Sequence, residues 1–200
     1  MKFKIFLLIV LFSSNLLYAQ TKKGNILVSG STGLQLLNSN IKTSYNGKTT
    51  KTVTQNTLTI LPSAAYFLID NLAIGLAGNY TNTSNIYTTG NIESSISTLL
   101  IPVAIFFLPI EGKIKPFAQI GAGIMNFTDK SIPKTGSNHV TSFSGICLNS
   151  GAGLAYFLKE NISFNFGLSY TNSNLTNVDD DKSKLKQGNF GSNIGISIFF

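Results

Sequence analysis

The chain holds one histidine, His139, with the hydroxyls of Thr141 and Ser142 just after it. An imidazole can draw a proton from a neighbouring hydroxyl, and a carboxylate behind the ring would hold it in the right tautomer; such a set hydrolyses acyl bonds. Glu93 is the acid that chain order brings nearest. The spacing fits no hydrolase motif, so the simpler reading is a histidine in solvent at a strand end. Cys147 is the single cysteine and cannot form an internal disulfide; it reads as a small apolar packing residue. Asp179, Asp180 and Asp181 form an acidic run, but a calcium loop needs oxygens converging along about a dozen residues. Gly121-Ala-Gly123 and Gly151-Ala-Gly153 lack the third glycine and the helix of a nucleotide loop. No catalytic, cofactor-binding or metal-ligating residue is therefore assigned, and no cofactor is expected.

The elements that would position these groups are strands. One hairpin is written twice, 90 residues apart: Ala65-Tyr66-Phe67-Leu68 and Asn71-Leu72 recur as Ala155-Tyr156-Phe157-Leu158 and Asn161-Ile162. From Ile162 to Tyr170, large apolar residues take the even positions and small or polar ones the odd, the period of a strand with one greasy face. About eight such segments are expected, near 24–37, 54–68, 72–83, 94–108, 116–128, 139–158, 162–173 and 187–200. Short links (69–71, 109–115, 159–161) alternate with long polar ones (38–53, 84–93, 129–138, 174–186). Each segment can supply the roughly 9–11 residues that a tilted strand needs to cross a bilayer.

Residues 1–19 stand apart. Lys2 and Lys4 precede an apolar run from Ile5 to Phe12, and the segment closes on Leu17-Tyr18-Ala19, the pattern of a secretory signal cut before Gln20. Residues 20–200 then form one domain, an outer barrel in the reading below. Of fifteen basic residues, all Lys, two lie in the leader; thirteen remain against eight acids, a net charge of +5. These lysines gather in links rather than in a stripe, so nucleic acid is not expected as a partner. Charge is absent from 54–69, 72–92, 94–110, 116–128, 135–158, 161–178 and 187–200. A bilayer imposes such a map, because a lysine facing lipid at the midplane costs about 2–4 kcal/mol.

Alternation does not say which face is inside. The less apolar face reads Ala73, Gly75, Ala77, Asn79 in one strand and Ser163, Asn165, Gly167, Ser169 in another. A wet exterior would carry Lys and Glu; small neutral residues suit a narrow barrel lumen instead. The greasy face is then assigned to lipid. Aromatics at strand ends make two interfacial girdles: Tyr66, Phe107 and Tyr156 (with Phe200) near the short turns, and Tyr80, Tyr170 and Phe190 near the long loops. The lumen is expected to be filled by Leu61, Phe67, Leu100, Phe106 and Phe143, leaving no sizeable pore.

The last strand, Ile194-Gly-Ile196-Ser-Ile198-Phe-Phe200, alternates and ends on an aromatic residue. With the Tyr-Phe-Leu-x-x-Asn turns and the Pro102 strand, it resembles the bacterial outer-membrane β-barrel proteins of the OmpA/OmpX-like "porin family" group. The resemblance implies an all-β, eight-stranded, antiparallel up-and-down transmembrane barrel with short periplasmic turns and longer extracellular loops. It also implies a cell outer-membrane location, lipid as surroundings, and an assembly signal at Ile194, Ile196, Ile198 and Phe200 read by the barrel-assembly machinery. A non-enzymatic envelope role or loop-mediated surface contact follows, with no ligand or receptor named. Two alternatives stand beside it: a soluble exported lipocalin-like barrel holding a small apolar ligand, and an outer-leaflet lipid-modifying enzyme using His139.

Overall fold

A computed structural model describes residues 21–33, 39–45, 48–87, 92–133, 137–180 and 182–200. The leader and its cut before Gln20 lie outside these residues. Among these residues nine antiparallel strands form one sheet: β1 (Ile26–Gly33), β2 (Ser39–Tyr45), β3 (Lys48–Ile69), β4 (Leu72–Tyr87), β5 (Ile92–Phe107), β6 (Ile114–Ile132), β7 (His139–Lys159), β8 (Ile162–Asn177) and β9 (Lys184–Phe199). β1 and β2 pair with successive parts of β3, so together they fill one of eight places in the ring. β1 also pairs with β9, from Leu27 opposite Phe199 to Gly33 opposite Asn193. That seam closes the sheet along the length of β1 and removes its edges there, which a bilayer demands because lipid offers backbone groups no partner; β2 pairs with β3 alone among the described residues.

The repeated hairpin is a repeat in structure as well. Both copies carry a register shift at the same place, between Phe67 and Ile69 and between Phe157 and Lys159. In the first, Asn71 takes a left-handed φ of 67°, a conformation that Asn tolerates better than most residues.

Between the register shifts at the turns, facing partners in the wall are both even or both odd: Ile60 with Tyr80, Leu76 with Pro102, Phe106 with Ala118, Leu154 with Phe166. Directly opposed side chains share a face. One parity therefore runs round the whole ring, with odd residues inward and even residues outward. The inner set includes Leu27, Ala65, Phe67, Ala73, Ala155, Phe157, Leu175 and Phe199, all buried. The outer set includes Ile74, Leu76, Ile120, Ile124, Leu148, Phe166 and Ile196, all exposed and apolar.

Parity corrects three expectations. Leu100 and Phe106 point outward, 61% and 45% exposed, and Phe107 points inward at 4%. The cause is the run from Leu99 to Leu108, apolar at every position: in the periplasmic half the lumen is as greasy as the lipid face, so alternation carries no signal there. Leu61, Phe67 and Phe143 do face inward. The long links are also shorter than expected. Residues 39–45 and 48–53, 84–87, 129–132, 174–177 and 184–186 are strand. Beyond the hydrocarbon the backbone still gains from pairing, while no lipid selects apolar side chains, so the strands continue after the hydropathy pattern stops.

Candidate functional site: the lumen and the outer rim

Five phenylalanines pack inside the periplasmic half. Phe199 lies 5.1 Å from Phe157, 6.1 Å from Phe107 and 6.2 Å from Phe67 between ring centroids, and Phe107 lies 5.7 Å from Phe117. Such pairs add about 0.5–1.5 kcal/mol each beyond the area they bury. Below them the N-terminal segment crosses the mouth. The Asn71 N–H donates to the Thr21 carbonyl at 2.6 Å, Gly24 N–H to Phe67 O at 2.9 Å, and Lys23 N–H to the Asp70 carboxylate at 2.8 Å. Lys115 is buried and faces inward. It donates from Nζ to Thr21 Oγ1 at 3.3 Å and lies 5.8 Å over the Phe157 ring. Lys115 thus sits at a strand end, as the charge map requires, but inside the wall.

Above the rings the wall turns polar, and below the rim no Lys, Asp or Glu among the described residues lines it. Gln119 Nε2 donates to Asn149 Oδ1 at 3.3 Å and Asn149 Nδ2 to Thr171 Oγ1 at 2.8 Å, tying β6, β7 and β8 together. Ser163 Oγ donates to Asn165 Oδ1 at 2.9 Å, and Asn165 donates onward to Ser197. Thr59 and Thr81 share a hydroxyl bond at 3.1 Å, and Thr57 and Thr83 one at 3.2 Å. Neutral groups satisfied by one another are the least costly way to place polarity in a narrow barrel.

The rim does not assemble the hydrolytic set. His139 Nε2 lies 3.2 Å from Thr141 Oγ1, both on the inner parity. Ser142 has the outer parity and bonds Thr128 at 3.2 Å. Glu93 accepts from the Tyr87 hydroxyl, and this bond is the chief reason the phenol is pushed above its usual range. Among the described residues no carboxylate hydrogen-bonds His139. The acidic run sits in a turn: Asn177 Oδ1 accepts from the backbone N–H groups of Asp179 and Asp180, and the Asp180 carboxylate accepts from Lys182 N–H at 3.1 Å. No group of three or more His, Cys, Asp or Glu among the described residues could hold a metal ion.

Cys147 is 2% exposed and its Sγ lies 3.5 Å from the Gly123 carbonyl oxygen. A thiol so placed is shielded from reagents. In the folded barrel a maleimide should leave Cys147 unmodified over hours, and in urea it should react within minutes; mass spectrometry reads both. Rapid labelling of the folded form would contradict the inward packing.

Six of the seven aromatics expected at the interfaces are on the outer face: Tyr66, Tyr80, Tyr156, Tyr170, Phe190 and Phe200, between 38% and 68% exposed. Phe107 is the exception and belongs to the inner cluster. Ile194, Ile196, Ile198 and Phe200 all face outward. Phe200 also exchanges backbone bonds with Ile26, 2.9 Å in each direction, so the last residue extends the seam that closes the ring. The sequence reasoning missed the inward Lys115 and the Thr21 segment; the one signal available was that Lys115 shares odd parity with Phe117 and Gln119.

A closed antiparallel ring with an apolar exterior, and an interior of packed rings below and hydrogen-bonded neutral groups above, defines a transmembrane β-barrel. The outer membrane protein beta-barrel domain family matches residues 5–197, and the chain belongs to that family. It is thus a protein of the bacterial outer membrane, which leaves no support for the soluble lipocalin-like alternative. No curated protein sequence matches the chain. Among solved structures it is similar to the outer membrane protein OprG from Pseudomonas aeruginosa, at 14% identity and a TM-score of 0.53 over 92% of this chain and 99% of that one. It is also similar to Ail, the attachment invasion locus protein of Yersinia pestis, at 16% identity and a TM-score of 0.50 over 89% and 99%. Identities this low speak for the fold alone.

Proposed function

We propose that this protein is a non-enzymatic, non-conducting barrel that supports the envelope and presents its outer strand extensions and loops for surface contact. The observation that carries this reading is the periplasmic end: five packed phenylalanine rings with Thr21 and Lys115 beneath them. An ion would have to pass apolar rings at low dielectric, and among the described residues no Lys, Asp or Glu lines the lumen directly above them to compensate it. The dispersed rim, where Glu93 serves Tyr87 rather than His139, supports the absence of acyl hydrolysis. For partners, outer-membrane lipid covers the even-numbered face. The barrel-assembly machinery would read Ile194, Ile196, Ile198 and Phe200, residues whose strand also forms the closing seam.

Purified barrel in planar bilayers should give no conductance steps of general-porin size. Steady steps of that size in the folded protein would overturn the closed reading. Acyl release from lipopolysaccharide, lost in His139→Ala, would overturn the non-enzymatic one.

A further inference from the structure

Between the aromatic floor and the outer rim the lumen is hollow. A lower compartment of about 120 Å³ leads to an upper one of about 310 Å³. The two share a neck of Leu61, Asn79, Leu99, Ser169, Thr171 and Asn193. The upper compartment reaches the low end of the range that holds small ligands, roughly 300–1,000 Å³. Its walls are unlike one another. Leu99, Met125 and Phe127 on β5 and β6 make an apolar patch, with Ser95 and Ser97 of β5 toward the rim, and hydroxyls and amides from β3, β4, β8 and β9 make the rest of the wall polar. No Lys, Asp or Glu lines either compartment among the described residues. The amides of Gln187, Asn189 and Asn193 have no side-chain hydrogen-bond partner among the described residues, though each can offer two donors and an acceptor.

We propose that this cavity is a binding site for a small neutral polyhydroxylated solute of the sugar class, entering from the outer end. A charged ligand would meet no counter-charge on these walls, and an apolar one would leave the amides of Gln187, Asn189 and Asn193 facing it unpaired; both cost free energy. A sugar ring carries hydroxyls on its edge and C–H groups on its faces, which matches an amide-lined wall opposite Met125 and Phe127. The site binds without transporting, so it stands whether or not the barrel conducts, and conductance tests the earlier reading separately.

The test uses the folded barrel in detergent with a ¹³C label on the methionine methyl group. Glucose should shift the Met125 methyl resonance and saturate in the millimolar range, while glycine betaine and indole should not. Asn193→Leu should weaken the glucose response about tenfold, the loss of one hydrogen bond to the solute. Asn172→Leu, on the outer parity, should leave it unchanged. Both variants are first checked for the heat-dependent gel shift of a folded barrel. The proposal fails if glucose and sucrose leave Met125 unmoved at high concentration, if indole or betaine shifts it instead, or if folded Asn193→Leu responds like the parent.

Discussion

Phe107→Ala should lower the unfolding free energy by about 3–5 kcal/mol, and Phe106→Ala by about 1 kcal/mol, in reversible denaturant unfolding of the barrel in lipid. The two residues are adjacent and chemically identical, so only their faces differ. Phe107 is 4% exposed, and its ring meets Phe67, Phe117 and Phe199 at 5.7–6.1 Å. Truncation leaves a cavity among side chains anchored on three other strands, and the ring of backbone bonds prevents the wall from collapsing into it. Phe106 is 45% exposed on the lipid side. Acyl chains flow into the space that its ring leaves, so no cavity persists. Equal losses at the two positions, or a larger loss at Phe106, would reverse the parity assigned to β5.

Phe166→Lys should cost about 2–4 kcal/mol, the penalty for a cation facing hydrocarbon near the midplane. Phe166 is outward, facing Leu154 on one neighbour and Ile194 on the other, with Tyr156 and Tyr170 marking the two interfaces nearby. A lysine there has no acid within its own face and must snorkel past these residues to reach water. Ser169→Lys, three residues on, opens into the polar cavity and should cost at most about half as much, because water or wall hydroxyls can solvate the ammonium. Unfolding in the same lipid reads both. A penalty at Ser169 as large as at Phe166 would place both faces in the same environment.

Much of this was legible from residue order. In β8 the even positions Phe164, Phe166 and Leu168 against the odd Ser163, Asn165 and Ser169 marked strand, face and environment together. The lower lumen was not legible, because a barrel this narrow packs apolar side chains inside as well as outside. In β5 a signal was present but weak. Ser95 and Ser97 set the inner parity at the polar end, and carrying it along the strand leads to Leu99, Ile101, Val103, Ile105 and Phe107. The candidate rim chemistry was half legible. His139 and Thr141 do meet, since residues two apart on a strand share a face, but the acid that would complete the set depends on cross-strand register. That register gives Glu93 to Tyr87.

The strand period, the charge-free spans and the small neutral face are properties of neighbours along the chain, and these determined the class of fold, the membrane and the number of crossings. The closing of β1 on β9, the Thr21 segment held under the aromatic rings by Lys115, and the cavity between Asn193 and Met125 join residues 50 to 170 positions apart. No local pattern encodes such contacts. They follow from the register in which eight strands meet when the ring closes, and only the tertiary structure decides that register.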